Sequence, residues 1–222
     1  MAGKTKSTKS ETKETDISSK ISSAYIDFIL TNGKKPVSVY EFVKILKIDE
    51  QEFYKFHTSF DALEKSIWAG FIQSTLDSLS VSQEYDTFPV KEKLLSFYYT
   101  YVEVLKKNRS FISVSMNNGP EMLWNNTLSK ARDLFKVYVS DLLSEATESG
   151  EVMKRPYISD KYPEALWLQL LFVTRFWIKD DSVGFEKTDA AIEKALKVSF
   201  DLMGPGALDS LVDMAKFLYQ NK

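Results

Sequence analysis

Three polar residues in one short segment have the types and the spacing to bind a nucleic acid: Gln51, Tyr54 and Lys55. At about 100° per residue they share one side of a helix, whereas Phe53 and Phe56 lie on the other side. A glutamine amide can pair with an adenine edge, and tyrosine and lysine side chains can hold backbone phosphates. The pattern therefore predicts a helix that contacts DNA.

Acidic residues surround the same segment and oppose that chemistry. Asp49, Glu50 and Glu52 precede or flank the polar side, and a carboxylate repels the phosphate backbone of DNA. Acids in the first turn also stabilise the positive end of a helix by about 0.3–1 kcal/mol each, which is a purely structural role. The segment is interpreted either as a DNA-reading helix or as a helix that no longer binds DNA.

The composition excludes most enzymatic and metal chemistry. The chain has no cysteine and a single histidine, His57, which excludes thiolate and multi-histidine metal sites and most histidine-based catalysis. The sequence contains no glycine-rich phosphate loop and no nucleophile elbow. Because the formal net charge is −2, attraction to nucleic acid must come from a local patch. We expect a protein that is not an enzyme and has no cofactor.

Two short helices joined by a tight turn position the polar residues. Ser38 and Glu41 have the spacing of a capping box, which starts a helix that continues to about Leu46. Asp49 caps the next helix, and residues 17–60 together predict a helix–turn–helix domain of three helices. Ser38 marks a helix N-terminus, where phosphate binds readily, so it joins the candidate DNA-binding residues.

Helical periodicity continues along the rest of the chain, without an alternating strand pattern. The expected fold class is all-α with about ten helices, in which residues 61–222 form a C-terminal bundle. Its predicted helices span 89–107, 109–117, 120–147, 161–179, 183–203 and 206–220, and turn residues such as Gly204-Pro205-Gly206 separate them.

Residues 1–16 are polar and rich in lysine, which predicts a disordered tail. They lack the apolar run of a signal peptide. The most apolar stretch, residues 165–178, contains Arg175 and is shorter than the roughly 20 residues that span a bilayer. The chain is therefore expected to be soluble and cytoplasmic, without a membrane partner.

Aromatic and methionine side chains in the C-terminal bundle could line a cavity for an apolar ligand. The candidates are Tyr98, Tyr101, Met116, Trp124 and Tyr138. Buried tyrosine hydroxyls need hydrogen-bond partners, which favours a binding site. The simpler interpretation is that these side chains form an ordinary core.

The helix predicted at 161–179 is apolar on nearly every side, more than packing against one surface requires. Together with the amphipathic helix at 183–203, it predicts an interface between two copies of the chain. The candidate interface residues are Trp167, Leu170, Leu171, Phe176, Ile192 and Leu196. The alternative is a central helix buried within one chain.

The segment that begins at Ile48, with the runs FYKF and SFDALEKSIW, resembles the end of the DNA-binding domain of TetR-family regulators. Phe53 and Tyr54 match the aromatic–tyrosine pair of that family, and Leu63 matches its leucine. Ser38 matches the serine or threonine that opens its second helix. The resemblance covers residues 18–68, and the run RFWIKDDSVGFEKTDAAIEKAL, at 175–196, is also similar to C-terminal regions of TetR-like proteins.

The resemblance implies an all-α homodimer with an N-terminal DNA-binding domain and a C-terminal domain for ligand binding and dimerisation. It implies a transcriptional regulator that binds double-stranded DNA and responds to a small molecule, which the aromatic and methionine side chains of the bundle predict to be hydrophobic. The chain departs from the family at several positions: Gln51 and Glu52 replace a common Gly-Thr, Phe56-His57 replaces the usual His/Tyr-Phe, and Phe60 replaces a basic residue. Because these changes remove a phosphate donor and add an acid, the alternative is a hydrophobic-ligand carrier or interaction module of the same fold that no longer binds DNA.

Overall fold

The computed structural model describes residues 5–116 and 126–206, with 214, 217, 218 and 220, and its side chains from residue 17 onward. The described residues form nine α-helices and no strand, which confirms the all-α prediction. The helices are α1 (Thr5–Asn32), α2 (Val39–Leu46), α3 (Glu50–Phe56), α4 (Phe60–Ser80), α5 (Val90–Lys106), α6 (Arg109–Met116), α7 (Ser129–Ser149), α8 (Tyr162–Lys179) and α9 (Glu186–Met203).

The helix boundaries differ from the sequence prediction in two places. Helix α1 begins at Thr5, within the tail that the sequence predicts to be disordered, and no glycine or proline ends the helix before Asn32. Helix α7 begins at Ser129, after a 3₁₀ turn over Asn126–Leu128, rather than at residue 120. Part of that predicted helix, and most of the one predicted at 206–220, lies outside the described residues.

The chain divides into two compact units. The first unit contains residues 1–68 and 110–127, and the second contains residues 69–109 and 128–222. Helix α4 therefore contributes residues to both units. The sequence places the end of the N-terminal domain at residue 60, before the end of the first unit's leading segment at Trp68.

Aromatic rings form the core of the first unit. Tyr25 on α1, Phe42 on α2 and Phe53 on α3 are fully buried. The ring of Phe42 lies edge-on to Tyr25, Phe53 and Phe60, with centroids 5.9, 6.3 and 5.6 Å away. Because Phe60 begins α4, these contacts join four helices and fix the orientation of α3.

A second aromatic cluster forms the core of the second unit. The ring of Phe97 on α5 stacks on Tyr138 of α7 at 4.8 Å, and Phe135 of α7 contacts Trp167 of α8 at 6.0 Å. All but Tyr138 are buried, at or below 4% exposure. Helix α8 therefore has one side fully occupied by its own chain.

Arg155, in the connection between α7 and α8, holds the end of α9. Its buried guanidinium donates to the carbonyl oxygens of Leu202, Met203 and Gly204 at 3.3, 2.9 and 2.8 Å, and to Tyr162 Oη at 3.0 Å. The last carbonyls of a helix have no partner within the helix. Arg155 supplies those partners from a distant part of the chain.

Among the described ranges, no helix is long and apolar enough to cross a membrane.

Candidate functional site

Helices α2 and α3 form a helix–turn–helix whose turn is closed by backbone hydrogen bonds. Lys47 adopts a left-handed conformation, with φ 57°, and its amide donates to Lys44 O at 3.2 Å. The amide of Ile48 donates to Val43 O at 3.1 Å. This closure satisfies the last carbonyls of α2 and redirects the chain into α3.

The four residues predicted to bind DNA are all exposed. Ser38 caps α2, and its Oγ accepts a hydrogen bond from Glu41 N at 3.2 Å. On α3, Gln51, Tyr54 and Lys55 lie on the outer side, with Tyr54 51% exposed. The contacts of Phe53 with the core of the first unit hold α3 in this orientation.

Lys55 forms an ion pair with an acid of its own helix. Its Nζ donates to Glu52 Oε1 at 2.6 Å, and the two side chains are 60% and 30% exposed. Such a pair on a helix surface stabilises the helix by only about 0.2–0.5 kcal/mol. Either partner can therefore exchange its contact for another at small cost.

The first unit has no excess of positive charge over residues 17–68. This segment contains seven lysines, no arginine, and seven aspartates or glutamates. Lys35 Nζ also pairs with acids, at 3.2 Å from Asp61 Oδ1 and 2.9 Å from Glu64 Oε2. Lys44 lies over the ring of Tyr40, 4.2 Å from its centroid. Any DNA binding must therefore depend on the arrangement of charges rather than on their sum.

The three tyrosines predicted to bind a ligand lie around the ring of Phe97 in the second unit. Tyr98, Tyr101 and Tyr138 lie 6.2, 6.0 and 4.8 Å from Phe97, centroid to centroid. The hydroxyl of Tyr98 donates to Gln169 Oε1 at 2.9 Å. The hydroxyls of Tyr138 and Tyr85 are 2.6 Å apart. Protein groups therefore satisfy two hydroxyls that a ligand was expected to contact.

The other two predicted ligand residues are not part of this cluster. Met116 is buried in the first unit, whereas the three tyrosines belong to the second. Trp124 lies outside the described residues. No group of three or more histidine, cysteine, aspartate or glutamate side chains that could hold a metal ion occurs in the described part of the chain.

Burial shifts the protonation of the tyrosine cluster. It raises the pKa of Tyr101 to about 12, although the hydrogen bond with Thr174 acts in the opposite direction. Burial also raises the pKa of Tyr98 and of Tyr138 well above the usual range. The folded state therefore retains these protons where an unfolded tyrosine, with a pKa of about 10, loses them.

We expect the stability of the protein to fall between pH 10 and 12. There the unfolded chain binds fewer protons than the folded chain, so each retained proton costs about 1.4 kcal/mol of unfolding free energy per pH unit. Below pH 10 these groups add no pH dependence. Urea unfolding at several pH values measures the slope, and Tyr101→Phe should reduce it. Full tyrosinate absorbance with unchanged helical circular dichroism would contradict this expectation.

Most of the residues predicted to form a dimer interface are buried within their own chain. Trp167, Leu170, Leu171, Ile192 and Leu196 are between 0% and 4% exposed. The structure corrects this part of the prediction, because these side chains pack inside the second unit and leave no surface for a partner. Phe176 is partly exposed and lies on the outer side of α8.

The outer sides of α8 and α9 form an open apolar groove of about 640 Å³. It is lined by Gln169, Phe172, Phe176, Lys187, Ala190, Ala191, Lys194, Ala195 and Val198. Phe172 and Val198 are 53% and 57% exposed, and Leu168 and Leu202 continue the exposed apolar surface along the two helices. Apolar surface of this kind marks binding sites on folded proteins.

Sequence reasoning missed Leu168 and Phe172, although their spacing of four residues, continued by Phe176, is a visible signal of an apolar stripe on a helix.

Gln169 fixes the base of this groove. Its Nε2 donates to Ala195 O at 2.8 Å and to Ser199 Oγ at 2.6 Å. Its Oε1 accepts from the hydroxyl of Tyr98. One amide therefore connects α5, α8 and α9, and fixes the positions of α8 and α9 relative to each other.

Comparison with known proteins gives both a family match and a fold match. Residues 93–218, more than half of the chain, match the sequence profile of the family described as "Tetracyclin repressor-like, C-terminal domain". No curated protein matches the chain.

Three solved structures have a similar fold at low sequence identity. A TetR-family transcriptional regulator of Syntrophomonas wolfei str. Goettingen is 16% identical, with a TM-score of 0.65 over 85% of this chain and 95% of that chain. A TetR-family transcription regulator of Shewanella sp. PV-4 is 13% identical, with a TM-score of 0.57 over 84% and 97%. The fatty acid degradation regulator FadR of Bacillus halodurans is 14% identical, with a TM-score of 0.59 over 82% and 97%.

Proposed function

Because the chain belongs to the tetracycline repressor-like (TetR) family of transcriptional regulators, we propose that it binds operator DNA as a homodimer and responds to a hydrophobic small molecule. The observation that supports DNA binding most directly is the exposed side of α3, which lies in a helix–turn–helix and presents Gln51, Tyr54 and Lys55 together. In a helix–turn–helix, the second helix enters the major groove, where its side chains can reach the bases.

The proposed contacts follow from the chemistry of each side chain. Gln51 pairs with an adenine edge and supplies sequence preference. Tyr54 donates its hydroxyl to a phosphate, and Ser38 adds a phosphate contact at the N-terminus of α2. These contacts explain how a unit without excess positive charge could still bind DNA at defined positions.

Gln51→Ala should relax sequence preference at one position of each half-site by about ten-fold, because the lost amide pairs with a single base. Ser38→Ala should instead weaken binding to all sequences. DNA selection at low salt, followed by fluorescence anisotropy on the selected duplex, measures both effects. Gln73→Ala, an exposed substitution on α4, is the matched control. An unchanged preference in Gln51→Ala would remove this residue from the interface.

The homodimer is proposed to form through the groove on α8 and α9. A two-fold axis would place Phe172, Phe176 and Val198 of each copy against the same surface of the other. The exposed apolar area along these two helices supports this arrangement, as does the family's dimeric nature.

The hydrophobic effector is proposed to bind in the second unit, at the cluster of Tyr98, Tyr101 and Tyr138. Because hydroxyls in this cluster already bond to protein groups, a ligand would make mainly apolar contacts. The name of the similar Bacillus halodurans protein, a fatty acid degradation regulator, agrees with an apolar effector. Native mass spectrometry of the purified protein tests this part, and an empty protein that binds no long-chain acid would refute it.

A second candidate function is a carrier or interaction module of the same fold without DNA binding. The equal numbers of lysines and acids over residues 17–68 favour it. The selection experiment separates the two functions, because a carrier recovers no sequence even at low salt.

A further inference from the structure

The ion pair on α3 differs from a simple phosphate contact. A lysine that neutralises a phosphate releases a counter-ion and strengthens binding to any DNA sequence. Lys55 is instead paired with Glu52 at 2.6 Å, so the two side chains together have no net charge. The pair therefore adds little to non-specific binding, and any contribution it makes to DNA recognition comes from another property.

That property is the position of one acceptor directly beside one donor. A carboxylate only accepts hydrogen bonds, and an ammonium group only donates them. In the major groove, cytosine presents its N4 amino donor, and its partner guanine presents the O6 and N7 acceptors. Cytosine N4 and guanine O6 are hydrogen-bonded to each other, so they lie about 2.9 Å apart. The Glu52–Lys55 separation of 2.6 Å is close to that spacing.

The other base pairs fit this arrangement less well. An A·T pair also presents a donor beside an acceptor, but adenine N7 lies next to that donor and repels a carboxylate. The thymine methyl group lies beside O4, and so obstructs the ammonium group. A C·G pair places both guanine acceptors on the side of the lysine, and has no acceptor on the side of the glutamate.

We propose that Glu52 and Lys55 together recognise one C·G base pair in each half of the operator. Glu52 accepts from cytosine N4, and Lys55 donates to guanine O6 and N7. This inference rests on the proposed DNA-binding function and deepens it. It assigns Lys55 to a base pair instead of a phosphate, and gives the acid that departs from the family pattern a direct role in specificity.

Selection of randomised duplexes at low salt by the full-length protein tests this assignment. The wild type should show about a ten-fold preference for C·G at one position of each half-site. Glu52→Gln should change that preference to A·T, because a glutamine amide pairs with adenine N6 and N7. Lys55→Ala should reduce the preference to about two-fold or less, because it removes both guanine contacts.

Glu50→Gln is the matched control, since it makes the same charge change in the same turn of α3. Like Glu52, it flanks the outer side of the helix and is partly exposed. It should tighten binding to all sequences and leave the C·G preference unchanged.

Two outcomes overturn the proposal, and they are distinguishable. If the wild type selects a sequence and Glu52→Gln selects the same one, the base-pair assignment is refuted while DNA binding stands. If neither the wild type nor Glu52→Gln binds DNA at low salt, the proposed function and this assignment both fail.

Discussion

Phe172→Glu should convert the proposed homodimer into a monomer. Phe172 is 53% exposed in the middle of the groove on α8 and α9, where the proposed two-fold axis places it against the partner copy. A glutamate there would put an unpaired charge into a dry contact, and the symmetry applies the penalty in both copies. At about 2 kcal/mol per copy, the dissociation constant should rise by about three orders of magnitude.

Sedimentation velocity at micromolar concentration measures this change. Val137→Glu is the control, because Val137 is 63% exposed on α7, outside the groove, and receives the same new charge. The fold should survive both substitutions, since both positions are exposed. A wild type that is monomeric at these concentrations, or a Phe172→Glu protein that remains dimeric, would refute the proposed interface.

Trp167→Ala should destabilise the fold by about 3–5 kcal/mol, the usual cost of truncating a buried tryptophan. Trp167 is 4% exposed, and its ring lies 6.0 Å from that of Phe135. The loss is a large fraction of the roughly 5–15 kcal/mol that stabilises a typical domain. The expected result is a lower urea midpoint with a partly unfolded population.

The matched control is Leu168→Ala, one residue further along α8, where the side chain is 53% exposed. It should change the stability of the monomer by less than about 0.5 kcal/mol. Both substitutions are best measured in the Phe172→Glu background, because dissociation then makes no contribution to the transition. Equal losses at the two positions would show that the described faces of α8 are assigned incorrectly.

Local signals in the sequence predicted the helix–turn–helix well. Ser38 was identified as a cap from its spacing to Glu41, and its Oγ accepts a hydrogen bond from that residue's amide. The inward position of Phe53 followed from helical periodicity. Such features depend on residues within one or two turns, so a single sequence contains the information. The match to the family profile confirms the family resemblance that these residues suggested.

The faces of α8 could not be assigned in the same way. Trp167 and Leu168 are both apolar and adjacent, and periodicity does not indicate which one faces the chain's own core. The deciding contact is Phe135, on a different helix. On α9, Ala190 and Ala191 line the groove, but small residues give a weak periodic signal.

The hydrogen bonds of the tyrosine cluster were also hidden in the sequence. The partner of Tyr98 is Gln169, which is 71 positions away in the chain. Buried hydroxyls were expected to need partners, but only the folded structure shows that protein groups provide them. The ion pair of Glu52 and Lys55 is the opposite case, because residues three positions apart on a helix are neighbours and the sequence alone indicates such a pair.

The clamp formed by Arg155 has a consequence for the order of folding. It joins residues 47 to 49 positions apart, so the contact requires closure of a long loop of chain. During synthesis from the N-terminus, α7 and α8 leave the ribosome first. The guanidinium of Arg155 cannot form these hydrogen bonds until residues 202–204 have also left the ribosome. Until then a cation that is buried in the finished fold must stay hydrated. The clamp between the connection after α7 and the end of α9 therefore cannot form until the last residues of α9 have been synthesised.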